Sequence, residues 1–238
     1  MAGKFLRGAF VQFMETFLIP LPNAILFQFN PESIVHAWSP AAAPSQGGND
    51  NPLAVSGLPG EKFDFTLHVD AADMIADGSP VAEGLATVSG VYTRLAALEM
   101  LMHPTGSSAD TLLGAVSVSV GAGGVSAGAD GTAGSARPVP AAQLPTVLFV
   151  WGPGRVLPVK VTSLSITETR YDATLLNPTH AEARVGLAVL TPKELQYVAG
   201  PLADIARGAY VYSQGLREAL AIANLANSAE SIIGMLPL

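Results

Sequence analysis

The chain has 238 residues, with 12 Lys and Arg against 19 Asp and Glu, a net charge of -7 and no cysteine. Those figures exclude disulfides, thiolate chemistry and a basic nucleic-acid footprint. Hydrophobic residues make up 49% and charged residues only 13%, with a mean hydropathy of +0.39, whereas soluble domains carry about a quarter charged residues. Such a chain either enters a membrane or buries much of its surface against other subunits.

A spanning helix needs about 20 continuous apolar residues. Residues 5–21 are interrupted by Arg7, Gln12 and Glu15, and residues 216–238 by Arg217, Glu218, Asn224, Asn227 and Glu230. Lys4 and Arg7 mimic the start of an export signal, but no small-residue cleavage site follows. The reading is therefore assembly in the cytoplasm, without membrane insertion.

In chain order, residues 8–30 offer two strand-like pieces around Ile19-Pro20-Leu21-Pro22-Asn23. The second alternates Ile25, Phe27 and Phe29 with Leu26, Gln28 and Asn30, the period of a pleated strand. Asn30-Pro31-Glu32-Ser33 reads as a turn, and residues 39–60, rich in Pro, Ala, Gly and Asn, as a long loop that includes Trp38 at its border. Residues 61–70 alternate most regularly: Phe63, Phe65, Leu67 and Val69 against Lys62, Asp64, Thr66 and His68. This is a half-buried antiparallel strand.

A helix follows, with Val88, Val91, Leu95, Leu98 and Met102 as its apolar stripe and Leu101 widening it. His103-Pro104 stops it, because the residue before proline avoids helical geometry. Residues 105–140 are dominated by Gly, Ala, Ser and Val and read as a flexible insertion, with residues 112–120 able to form an extra strand. Residues 147–167 read as a hairpin around Gly152-Pro153-Gly154-Arg155. Leu157, Val159 and Val161 share one face, but Leu164 and Ile166 fall in the opposite phase, so a β-bulge belongs near Thr162-Ser163. This hairpin is apolar on both faces. Its second face is covered either by the helix and the C-terminal tail or by another protomer.

The last strand, residues 181–191, puts Ala183, Val185, Leu187 and Val189 inward and Glu182 and Arg184 outward. Thr191-Pro192-Lys193-Glu194 has the pattern of a capped helix start. Leu195, Val198, Leu202, Ile205, Ala209, Tyr212 and Leu216 then follow a three-four spacing that reads as a heptad seam, broken or kinked at Gly200-Pro201.

Catalytic and metal signatures are not found. His36, His68, His103 and His180 occur singly, without metal-ligand spacing. Asp70, Asp73 and Asp77 lack the ligand rhythm of a calcium loop and read as turn and cap residues. Gly121-Ala122-Gly123-Gly124 has no following Lys-Ser/Thr, and no G-x-S-x-G elbow occurs. The expectation is a non-enzyme without cofactor or metal.

Several segments, taken in order, resemble the tube-domain proteins of contractile, phage-tail-like injection systems. They are Ile25-Leu26-Phe27-Gln28-Phe29-Asn30-Pro31-Glu32, Gly60-Glu61-Lys62-Phe63-Asp64-Phe65-Thr66-Leu67 and Arg94-Leu95-Ala96-Ala97-Leu98-Glu99. Leu148-Phe149-Val150-Trp151-Gly152 follows with Arg155-Val156-Leu157-Pro158-Val159, then Thr162-Ser163-Leu164-Ser165-Ile166-Thr167-Glu168 and the closing strand to Leu190-Thr191. The resemblance spans residues 8–191.

It implies a mainly β fold of two packed antiparallel sheets of phage tail-tube type, with one flanking helix. A tube-like β domain would occupy residues 1–191, with the Gly/Ala-rich insertion at about 105–143, and a C-terminal helical extension residues 192–238. It also implies a hexameric ring in the baseplate that joins the spike hub to the inner tube and templates tube assembly. Partners would be further copies, the inner tube protein, the hub, and neighbouring baseplate or sheath proteins. The chain departs from relatives that carry a C-terminal LysM module, since only helix follows Thr191.

On this reading Phe63, Phe65, Trp151, Val159 and Val161 are the core of the hairpins that carry the interface. Glu61, Lys62, Arg155, Glu168 and Arg184 are candidates for ion pairs across subunits. The alternatives are an inner tube subunit of the same machine, or a module binding cargo or cell wall, for which Trp38 is the one loop aromatic.

Overall fold

The computed structural model describes residues 6–14, 21–41, 55–76, 80–103, 117–121, 124–128, 144–198 and 202–235. Seven strands form one antiparallel sheet: β1 (Ala9–Met14), β2 (Leu21–Leu26), β3 (Ile34–Ser39), β4 (Gly60–Asp70), β7 (Val147–Val150), β8 (Val156–Tyr171) and β9 (Pro178–Val189). Their order across the sheet is β2-β1-β7-β8-β9-β4-β3, and β5 (Ser117–Gly121) pairs with β6 (Gly124–Gly128) as a separate hairpin. The protein is thus mainly β and antiparallel as expected, but the main strands join one sheet rather than two.

That sheet is curled. β7 and β4 stand three strand spacings apart, about 14 Å in a flat sheet. Yet the rings of Phe149 on β7 and Phe63 and Phe65 on β4 have centroids 5.5 Å apart, and Phe10 on β1 lies 6.2 Å from Phe65. One face is therefore wrapped inward around Phe10, Phe27, Phe63, Phe65, Phe149 and the aliphatic residues of β8 and β9. Near the chain after β2 the wrap is stitched by a side chain acting as a strand: Gln28 donates its amide to the Asp70 carbonyl at 2.8 Å and accepts the Asp70 N–H at 3.0 Å. Arg94 caps the Leu26 carbonyl beside it.

The expected bulge is present. Val161 pairs with Leu187 and Ser163 with Gly186, leaving Thr162 as the extra residue. Leu157, Val159 and Val161 face the core before it, and Leu164 and Ile166 pack against the same side after it. Opposite the bulge Gly186 leaves room for the side chains of Ser163, Asp64 and Thr162, which a Cβ there would push aside.

One flanking helix was expected over the 88–102 stripe; three helical segments are found, α1 (Ala71–Ala76), α2 (Pro80–Ser89) and α3 (Tyr92–Glu99), the last extended by a 3-10 turn, Met100–Met102. Gly90 separates α2 from α3 with φ of +57°, and a Cβ there would meet the Pro178 carbonyl oxygen at 2.2 Å. The break leaves Val88 exposed, while Val91, Leu95, Leu98 and Leu101 are buried. His103 is extended, as the following proline demands. A second revision concerns residues 34–39: they form the edge strand β3, so Trp38 belongs to a strand and not to the loop.

Of the expected turn around Ile19-Pro20-Leu21-Pro22-Asn23, Ile19 and Pro20 lie outside the described residues, as do most of the 39–60 loop, most of the Gly/Ala-rich insertion and the Gly200-Pro201 break. Leu21, Pro22 and Asn23 belong to β2 instead, paired with β1. From the insertion β5 and β6 are described.

At the other end Thr191 caps α4 (Pro192–Leu195) with a full capping box: its side chain accepts from the Glu194 N–H, and Glu194 accepts from the Thr191 N–H. α5 (Leu202–Met235) has 34 residues, about 51 Å of helix. Its docked stripe is Ala203, Ala206, Tyr210, Ser213 and Arg217, one residue on from the expected seam, and Ile205 and Tyr212 are exposed. The physical reason is close approach. Small residues let the helix settle on β8, where the Ser213 hydroxyl donates to the Val156 carbonyl and accepts the Val156 N–H. Tyr212 turns outward and donates to the Pro153 carbonyl at 2.9 Å.

Candidate functional site

The second face of the 147–167 hairpin, β7 and the first half of β8, is covered within the protomer. Leu148 points away from the aromatic core into a cluster with Leu190, Leu195 and Ala206, joined by Val11, Val198, Ala209 and Tyr210. α4 and α5 supply that cover, so this face is not left for a neighbouring copy. The cover ends with Arg217: every described position from Glu218 to Leu225 is exposed, including Leu220, Ile222 and Leu225.

Three features stand out on the surface. The first is the pair of strand borders. Among the described residues β2 and β3 each lack a strand on their outer side. Apolar side chains line them in the open: Leu26 is 54% exposed, Val35 61% and Trp38 49%.

The second is a buried charge cluster at the root of β3. Glu61 shares the phase of Phe63 and Phe65 and is itself buried, 4% exposed. Arg217 of α5 grips it with both terminal nitrogens, Nη1 at 2.9 Å from Oε2 and Nη2 on Oε1. His36 Nε2 stands 2.8 Å from the same carboxylate, and its ring stacks on Phe63 at 4.3 Å. The Arg217 guanidinium also lies over the Trp38 ring, 5.1 Å from its centroid. Burial raises the Tyr210 hydroxyl above its ordinary value of 10.0, the Glu61 charge adds to this, and Arg217 partly opposes it. The cluster borders a shallow cleft of about 130 Å³ walled by Leu58, Pro59, Thr191 and Gln214. Glu61, Arg217 and His36 are engaged with one another, and the arrangement acts as a clamp between β3, β4 and α5.

The third lies on the outer face of β4 and β9. His68 faces Glu182 and Asp70 faces His180 across the ladder. His68 Nδ1 is 3.6 Å from Glu182 Oε1, and His180 Nδ1 is 3.3 Å from Asp70 Oδ2. The rest of this face is polar, with Ser163, Ser165, Thr167 and Thr169 on β8 opposite Gly186, Arg184, Glu182 and His180.

The residues singled out from sequence are distributed among these features. Phe63, Phe65, Val159 and Val161 are buried in the protomer's own core, and Trp151 is half-buried against Phe27 and Phe149. They shape the sheet from inside the protomer. Glu61 is spent inside the chain on Arg217 and His36. Arg155 closes the hairpin turn through its carbonyl, which accepts the Trp151 N–H. Glu168 accepts from the Tyr171 hydroxyl at 3.4 Å. Lys62 and Arg184 are exposed on the outer face. Arg217 and the histidine cluster were not found from sequence. Their partners lie 156 and 110 residues away, and no local spacing could reveal them.

Among the described residues no helix is long and apolar enough to cross a membrane. No family model matches the chain, and no curated protein matches it in sequence.

Proposed function

We propose that this protein is a ring-forming structural subunit of the baseplate of a contractile, phage-tail-like injection system, seated between the spike hub and the inner tube. The observation that carries the reading is the curled antiparallel sheet with two strand borders, β2 and β3, that among the described residues have no outer strand and are lined by exposed Leu26, Val35 and Trp38. Unpaired borders are templates for further strands, and pairing of one copy's border with the next generates a closed ring when the rotation closes. The polar outer face of β8, β9 and β4 suits a water-filled channel. The part of α5 beyond Arg217, with Leu220, Ile222 and Leu225 exposed, supports an adaptor role over that of a plain tube subunit, because it offers an apolar surface to a neighbouring baseplate protein.

The test is mass photometry with negative-stain imaging of the purified chain. Hexamer-sized rings are expected for the native sequence. The V35K/A37K double variant places charge on two exposed β3 positions without touching the core, and it should yield monomers with an unchanged circular dichroism spectrum. A native chain that stays monomeric at every accessible concentration, also with an added inner tube protein, refutes the reading.

A further inference from the structure

We propose that His68, His180 and Glu182 form a zinc site on the outer face of the sheet, independent of ring formation. The pairing of β4 with β9 sets His68 opposite Glu182, and His180 one pleat along the same strand as Glu182. One ring nitrogen from each histidine and one carboxylate oxygen lie within 4.8 Å of one another. Zinc bonds of about 2.0–2.2 Å ask for ligand atoms about 3.3 Å apart. The remaining contraction of roughly 1.5 Å is within the reach of side-chain rotation, since His68 and Glu182 are 41% and 50% exposed.

The second shell is already in place. Asp70 Oδ2 sits 3.3 Å from His180 Nδ1, which holds the proton on that nitrogen and leaves Nε2 to ligate. A carboxylate behind a histidine is the usual way a metal-binding ring is oriented. Asp70 is itself anchored, because its other oxygen accepts the Ala72 N–H at the start of α1. Charge favours a dication: Glu182 and Asp70 bring two carboxylates to the cluster, and Glu32 and Asp64 line an adjoining cleft of about 230 Å³ together with His68 and Arg184. Two imidazoles with one carboxylate select zinc over calcium or magnesium, which prefer all-oxygen shells. Three protein ligands leave a fourth position open, for water or for a side chain of an adjacent molecule.

The test is calorimetric titration of the full chain, stripped with chelator, with zinc chloride alone. One Zn²⁺ per chain is expected. H68A and H180A should each weaken binding at least 100-fold. D70N, which preserves the helix cap, should weaken it 10- to 100-fold. H103A, an exposed histidine elsewhere, should bind as the native chain does. Replacing zinc with Co²⁺ should give the intense visible bands of a four-coordinate site in the native chain and not in H180A. Absence of stoichiometric binding, or equal affinity in the native chain and in H68A and H180A, overturns the proposal. Circular dichroism of each variant separates lost ligation from lost fold.

Discussion

The two halves of β8 make different surfaces from one strand. Before the bulge, Leu157, Pro158 and Val159 are buried in succession, because the curled sheet takes one face and α4 with α5 takes the other. After it, half-buried and exposed positions alternate, with Leu164 and Ile166 inward and Ser163, Ser165, Thr167 and Thr169 outward. The difference teaches that apolar residues on both faces of a strand do not by themselves call for a partner subunit. A single extra residue, Thr162, lets one strand serve a closed core at one end and a wet face at the other.

The sharpest way to break the comparison is to insert one alanine between Leu164 and Ser165, in the regular ladder beyond the bulge. A one-residue slip exchanges the faces of everything beyond it, sending Ile166 outward and Ser165 and Thr167 inward. The variant is expected to lose cooperative unfolding in urea altogether. Phe149→Ala tests the inward face of the buried end, where that ring contacts Phe10, Phe27, Phe63, Phe65 and Trp151. It should cost about 3–5 kcal/mol by chemical denaturation.

Arg217→Met tests the outward cover. Removing one partner of a buried ion pair costs about 3–5 kcal/mol, and since the Arg217 side chain is 29% exposed about 2–3 kcal/mol is expected. Hydrogen exchange should quicken first in residues 202–217, and the double variant E61L/R217M should recover most of the loss. The smallest effect belongs to Thr191→Ala, about 1 kcal/mol for a lost cap. The same variant carries a pH signature. Burial alone pushes the Glu194 carboxyl up, but the Thr191 N–H, Lys160 and the Thr191 hydroxyl outweigh it, so it sits below its ordinary value of 4.5. A depressed carboxylate adds stability above its unfolded value and loses it as pH falls through the folded one. The difference between native and T191A should therefore shrink below about pH 4.5, as read from thermal melts.

What was legible from sequence was local. The alternation of β4, the bulge and the capping box each rest on residues within a few positions of one another, where backbone geometry dictates the pattern. β3 escaped because Ile34–Ser39 mixes exposed apolar and polar positions, as an edge strand does, and offers no clean period. The docked face of α5 lies one residue beyond the apolar seam because closeness outweighs bulk there: Ala203, Ala206 and Ser213 dock, while Ile205 and Tyr212 do not. Neither the Glu61–Arg217 clamp nor the histidine cluster leaves a local trace, since each depends on which strands become neighbours.

α5 is held along its first half and runs on for residues 218–235, about 27 Å of rod. A rod gripped at one end is a lever. A tilt of about 10° where Arg217 meets Glu61 moves the tip by roughly 5 Å over that length, more than the width of a side-chain contact. Whatever the tip touches is therefore aimed by the grip at its root, of which the Glu61–Arg217 pair is the outermost hold, and the stiffness of that grip sets how narrowly the far end is placed.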